Sequence, residues 1–463
     1  NAETIPMLSV SVPTGLQMGT SSGAIAHIGT GHTLTSQPDP LFAPYRFDSS
    51  VAPSIGLRVP SNETLALVSN TLNIQGGTLT ADGGHIALIS LSEGDVDITQ
   101  QNQPIRLAAN PESTPFQNIE LGQRALLDVS GTTTGGINIQ GRRITLTDGA
   151  TVWSQNRGSA DGDDITIQAT ESLMLSGQLT QGAMLSSIIS STVDSGKTSN
   201  IEINTPRFVV NNGSSVGNRA IAGSGSTGNI QINAADIVID GFAAGAPQIF
   251  SRVGTFTTSS GNANDVVVET QALNITNGGY LGSTTLFSNG AGGNVRVTAE
   301  DIQVSGTTPT GELSLLVASS IAGNGNAGSL TIETARLSVL NSGSVLTSSF
   351  TAGSAGVIDV NATESVLIGG RVPNGGDSSI SSSVTIAAQV YQDRLGPFPS
   401  PTGNAGQVNL STGHLQINES GLLNVANQGS GQAGILNATA QNISLAGGDI
   451  NAITASGQGG NIN

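Results

Sequence analysis

From about residue 135 to the last residue, apolar and polar residues alternate with a period of two, and Gly/Asn turns interrupt the alternation. Each copy has a turn, two inward apolar residues one apart, a small residue, then a second apolar pair. Copies read GGINIQGRRITL at Gly135, DDITIQATESLML at Asp163, SNIEINTPRFVV at Ser199, GNIQINAADIVI at Gly228 and NDVVVETQALNI at Asn264. GNVRVTAEDIQV at Gly293, GSLTIETARLSV at Gly328, GVIDVNATESVLI at Gly356, GQVNLSTGHLQI at Gly406 and GILNATAQNISL at Gly434 follow, with a truncated copy at Gly460–Asn463. Period-two alternation marks strands, and a repeat of this length marks a stacked, one-dimensional architecture.

The first inward residues are Ile137, Ile165, Ile201, Ile230, Val266, Val295, Leu330, Ile358, Val408, Leu436 and Ile462, at steps of 28, 36, 29, 36, 29, 35, 28, 50, 28 and 26. Two strands do not use 28 residues. A third alternating piece completes each copy, as in Ala150–Ser154, Ser344–Thr347 and Gly421–Val425. The chain is therefore read as all-β, a parallel β-helix with three short strands per rung, each rung pairing with its neighbours at about 4.8 Å. Ile, Val and Leu are expected inside, with Thr, Gln, Asn and Ser outside. Alternating step lengths predict extra residues in every second rung, emerging as a loop ridge on one side. Six residues past each inward start stand Arg143, Glu171, Arg207, Asp236, Ala272, Asp301, Arg336, Glu364, His414 and Asn442. If that position stacks, opposite charges meet on neighbouring rungs and act as a register device; exposed pairs contribute little stability.

Residues 1–134 are less periodic and are read as irregular rungs, with a Pro-rich loop at 36–60. Residues 135–463 form the regular part, with a protruding insertion at 371–405 that explains the 50-residue step. Proline cannot donate to a strand ladder and belongs in such excursions. Because the chain starts at Asn1 and stops within a copy, it is read as a fragment of a longer polypeptide.

Composition narrows the function. Sixty-two glycines, 10% charged and 3% aromatic residues fit a thin aliphatic core. Net charge is −17, with Lys197 the only lysine, so the chain lacks the basic footprint of a nucleic-acid binder. No run approaches a membrane span, and membrane insertion is not expected. Without cysteine there is no thiolate ligand, thiol nucleophile or disulfide.

Candidate chemistry is sparse. Asp194–Thr198 (DSGKT) lacks the first glycine of a phosphate loop, Ser191 standing there. Ser159–Asp164 (SADGDD) sets three carboxylates on a turn without calcium-loop spacing. His27, His32, His85 and His414 lack zinc-ligand spacing. The pairs Asp163-Asp164 and Glu300-Asp301 are adjacent in sequence, and strand neighbours point to opposite faces unless a turn redirects them, which disfavours acid–base work. No catalytic, cofactor or metal residues are assigned. Trp153, Tyr391 and Phe398 are the candidate ligand contacts, Trp153 by stacking on a sugar ring.

The phrases at Gly135–Asp148 and Asp163–Gly177 resemble cyanobacterial filamentous-haemagglutinin-type exoproteins. So do Thr64–Ser90 (TLALVSNTLNIQGGTLTADGGHIALIS) and Ile5–Gly19 (IPMLSVSVPTGLQMG), and the likeness covers nearly the whole chain. The resemblance implies a right-handed β-helix exported by two-partner secretion through an outer-membrane β-barrel transporter. The amino-terminal secretion-domain core of that family is missing from this sequence. The expected function is a secreted or cell-surface adhesin shaft that binds host or neighbouring cells, surfaces or polysaccharide without catalysis. A polysaccharide lyase or hydrolase on a β-helix and a self-associating scaffold are the competing readings.

Overall fold

The computed structural model describes residues 13–35, 46–47, 56–99, 104–177, 185–373, 375–387, 392–393, 396–456 and 459–463. It is an all-β parallel β-helix. In most rungs the two apolar pairs run into one bent strand, as in Ile165–Ser176, Ile201–Asn211 and Leu330–Leu340. Elsewhere the bend splits it, as in Val266–Glu269 and Ala272–Thr276. The third strand, such as Ser187–Thr192, Ser215–Ala220 or Arg252–Thr257, belongs to a separate parallel sheet of 13 strands. Three faces therefore surround the core, but two of them are commonly the arms of a single strand.

The inward register follows the repeat. Ile137 pairs with Ile165, then Ile201, Ile230, Val266, Val295, Leu330, Ile358, Val408 and Leu436. All are at most 1% exposed, within one cluster running from Leu65 to Leu436. Ile462 keeps the register opposite Leu436 but is 52% exposed on the last rung.

The third sheet departs from the expected apolar-in, polar-out rule. Its inward row holds Ser190, Thr255, Ser283, Thr347 and Ser382, all buried. These hydroxyls satisfy the backbone of the next turn: Gly293 N donates to Ser283 Oγ (2.9 Å), and the hydroxyls of Thr255 and Thr347 donate to the carbonyls of Asn264 (2.7 Å) and Gly356 (3.0 Å). Burying them costs little because each is hydrogen-bonded.

That turn also explains the spacing of glycines. Gly293, Gly328, Gly356 and Gly406 stack in one column, with Asn264 at the same position one rung below Gly293. A Cβ on Gly328, Gly356 or Gly406 would sit 1.9 Å from the carbonyl oxygen of the glycine one rung below. Three residues earlier, Gly290, Gly325, Gly353 and Gly403 form a second column with the same close approach. Beside the columns run polar ladders: Asn229 N donates to Asn200 Oδ1 (2.9 Å), Asn294 N to Asp265 Oδ1 (2.8 Å) and Ser329 N to Asn294 Oδ1 (3.1 Å). A parallel ladder joins Ala291 N to Asn262 Oδ1 (2.9 Å), Ser354 N to Asn326 Oδ1 (2.9 Å) and Gln432 N to Asn404 Oδ1 (2.9 Å). The recurrent Gly/Asn turn is thus a place where rungs touch backbone to backbone and side-chain amides cap the exposed donors.

Part of the chain before 135 belongs to the same stack: Thr64–Ser69 pairs with His85–Ser90, which pairs with the start of Gly136–Thr147, whereas Gly15–Met18, Gly94–Thr99 and Arg106–Ala108 form a separate antiparallel sheet. Most of the Pro-rich stretch 36–60 lies outside the described residues; near its end Leu57–Arg58 pairs with Leu79–Thr80 in the third sheet. The insertion proposed at 371–405 is two insertions. Between them Ser378–Val384 is a regular rung strand, pairing with Ser344–Ser349 and Gly421–Asn427.

Two substitutions test this packing. Ile232→Asp or Ile332→Asp buries an unpaired charge at sites 1% exposed and is expected to cost about 4 kcal/mol or more. Normal expression with an unchanged circular-dichroism melt would contradict the register. Gly328→Ala, which adds a single methyl, is expected to cost about 2–3 kcal/mol by forcing adjacent rungs apart; an equally stable variant would show that the column tolerates a Cβ.

Candidate functional site

The loop ridge lies where the bent strand passes into the third strand. Short turns at 212–214, 277–279 and 341–343 alternate there with long connections at 177–186, 241–251, 306–314 and 370–377. In the short turns an asparagine at positive φ (Asn212, Asn277, Asn341) reverses the chain within about one residue. Two of the long connections leave the rod on that side: Phe242–Ala243 pairs with Ala246–Phe250 as a hairpin, and Thr307 bridges to Leu313.

Beside the ridge, the outward face of the third sheet forms a groove of about 620 Å³. Three outward rows floor it. The row nearest the ridge is Ser215, Arg252, Tyr280, Leu315, Ser344 and Ser379, each opposite the next. The central row is Ile189, Gly217, Gly254, Gly282, Val317, Leu346 and Ser381. The far row is Arg219, Phe256, Thr284, Ser319, Ser348 and Ser383. Phe250, Glu312, Leu313 and Asp377 wall the groove from the ridge, and Ile321, Phe350 and Thr385 from the other side.

The three stacked glycines leave the middle of the floor without side chains, and Tyr280 covers Gly254. Its Cε1 would lie 3.2 Å from a Cβ on Gly254. Its hydroxyl crosses to Thr284 Oγ1 (2.7 Å), which continues to Ser319 Oγ (2.9 Å). A ring spanning from the near row to the far row lies across the floor, and Phe250 packs against it at 6.1 Å between centroids. Burial pushes the Tyr280 phenol up to about 12, so it stays neutral.

The three residues expected to contact a ligand fare differently. Trp153 is on the same outward face, in the central row, but it is 1% exposed. It packs with Leu34, Leu126 and Ile189, and Phe47 meets its ring edge-on at 5.6 Å. The strands Leu34–Thr35 and Arg46–Phe47 lie over it, so no sugar ring reaches it. Phe398 is half-buried and stacks on Phe287 (6.5 Å, 6° between planes), tying the second insertion back to the rod. Tyr391 lies outside the described residues.

The charge ladder has the expected geometry. Arg143 pairs with Glu171, Arg207 with Asp236 (3.4 Å), and Arg336 with both Asp301 (2.5 Å) and Glu364 (2.8 Å). Glu171 and Glu364 sit at one-residue bulges, where Ser172 and Ser365 hold the aligned positions, yet both still reach their arginines. Glu300 and Asp301 do not point apart: a bend lets both engage Arg336. The hydrogen bond from Arg336 holds Asp301 below its ordinary carboxylate range. The Asp161, Asp163 and Asp164 carboxylates face Lys197, Arg106 and Asn200 respectively. Among the described residues no cluster of three His, Asp or Glu is placed to hold a metal.

No family model, curated protein or solved structure matches the chain. The groove was not singled out from the sequence. Its signal is present, however, in strands apolar on both faces, such as YLGSTTL at Tyr280 and LLVASSI at Leu315.

The cover on Trp153 yields a pH prediction. His32 Nδ1 accepts from Leu34 N (3.1 Å), so Nε2–H donates to Gly149 O (2.9 Å). Burial lowers its pKa from 6.5 to about 4, and burial does the same to His85. Their neutral forms are compatible with the fold above pH 6.5, and that stability is lost as pH falls from 6.5 toward 4. Asp128, whose pKa burial raises, gains a proton more readily when folded and opposes the trend at the acid end. Emission of the single tryptophan should shift to the red between pH 6.5 and 4, and His32→Gln should remove a large part of the shift. A flat profile would show that the cover does not depend on a neutral His32.

Proposed function

We propose that the chain is the shaft of a non-catalytic adhesin, secreted or held at the cell surface, that attaches to cells, surfaces or polysaccharide. The observation that carries this reading is the outward groove beside a loop ridge on a rod with a continuous core. Rigid scaffolds that present loops and grooves are suited to recognition. The acidic pairs weighed for hydrolysis are engaged by arginine or asparagine, and the Arg336 hydrogen bond favours the ionised form of Asp301. Glycoside hydrolysis needs one carboxyl kept protonated across from a second.

Export by two-partner secretion, with an outer-membrane β-barrel as the transporter, rests on the family resemblance and on two physical features. The chain has no cysteine to form a loop-closing disulfide. Each rung pairs only with its neighbours, so the rod can fold progressively as it emerges.

The test is to incubate the purified chain with a panel of polysaccharides and with intact cells, scoring retention and release of soluble sugar together. Retention without release is the expected result. Release of sugar would replace the adhesin by an enzyme, and neither signal would favour the passive scaffold.

A further inference from the structure

We infer that the groove on the third sheet binds a neutral polysaccharide strand lying parallel to the rod axis. This deepens the adhesin reading and rests on it. The groove crosses the strands from Ser187–Thr192 to Ser378–Val384, about 29 Å at about 4.8 Å per rung. It is an elongated trough, suited to a polymer more than to a compact ligand.

Its chemistry matches sugar rings. The central row is apolar or bare from Ile189 to Leu346 and ends at Ser381, and the Tyr280 ring is laid over Gly254 as a platform. An electron-rich ring face attracts the polarised C–H face of a pyranose. The flanking rows are polar but mostly closed: Ser344 and Ser379 bond each other (3.1 Å) on one side, Ser348 and Ser383 on the other are each 7% exposed, and of the four only Ser379 is half-buried rather than buried. Charge decides against ionic polymers. The groove holds two arginines (Arg219, Arg252) and two carboxylates (Glu312, Asp377) on a rod of net charge −17. An acidic polymer would be repelled by the rod, and a basic one would find no net charge in the groove.

An extended peptide fits less well. The backbone donors and acceptors of the third sheet are paired from rung to rung, so the groove has no strand edge to which a peptide could add. The same face shows how a ring is received: at its amino-terminal end Phe47 lies against Trp153, and the groove opens where that cover stops, at Ile189.

The intact chain should be titrated calorimetrically with the neutral hexasaccharides cellohexaose, maltohexaose and xylohexaose. Hexagalacturonate and an apolar strand-forming peptide serve as rivals. Ser381→Trp fills the central row from a half-buried position, and Tyr280→Ala removes the platform. At least one neutral hexasaccharide should bind, with affinity at least tenfold weaker in both variants and the Ser381→Trp melting temperature unchanged. No binding by any neutral hexasaccharide, equal binding by a folded Ser381→Trp, or preference for hexagalacturonate or the peptide would each overturn the inference. Retention on cells separates the two levels. If Ser381→Trp is retained as well as the unaltered chain, the groove assignment falls and the adhesin reading stands. If the unaltered chain is retained on nothing, the adhesin reading itself falls.

Discussion

Backbone hydrogen bonding from rung to rung is the constraint on which everything else in this molecule depends. It holds successive turns of the chain about 4.8 Å apart, so a residue's nearest neighbours are its counterparts one rung above and below. Any feature tolerated once must be tolerated as a column. Apolar side chains become a continuous stack from Leu65 to Leu436. Glycines become columns in which a methyl group would meet a carbonyl oxygen at 1.9 Å. Asparagines become ladders that hand a carbonyl oxygen to the next backbone N–H.

The same constraint shapes the surface. A stack lengthens without thickening its core, so variation is pushed outward, into connections between strands or onto outward rows. The alternation of short Asn turns with long connections leaves every second rung free to project a loop without disturbing its neighbours. Where outward rows are apolar, the sheet needs a cover. The protein supplies one over Trp153 with its own strands, and leaves the continuation of that face as an open groove. Charges are arranged differently. Arg336 gathers Asp301, Glu364 and Glu300 on the exposed arm, a pattern that favours one register over a one-rung slip.

Much of this was legible in the sequence because the repeat encodes it directly. The first inward residues of ten copies occupy the buried column, and the step lengths announced the ridge. The charge series at Arg143 through Glu364 survived two bulges because long side chains absorb a one-residue offset. Where the reading failed, alternation alone was a poor guide. Ser283 and Thr347 alternate as surface residues do, yet point inward because the turn beside them needs hydrogen-bond partners. Ser378–Val384 was hidden inside an apparent insertion because its Ser-rich pattern carries only two buried apolar residues, Ile380 and Val384.

The sequence by itself determined the fold class, the position of the core column and the side on which loops emerge, because these follow from local alternation repeated at a fixed step. Tertiary structure alone decided what each outward surface became. Trp153 and Tyr280 are both aromatic, outward and on equivalent strands. One is sealed beneath residues more than a hundred positions away, and the other floors an open groove. No local pattern records that difference, because it depends on where a distant excursion of the chain comes to rest.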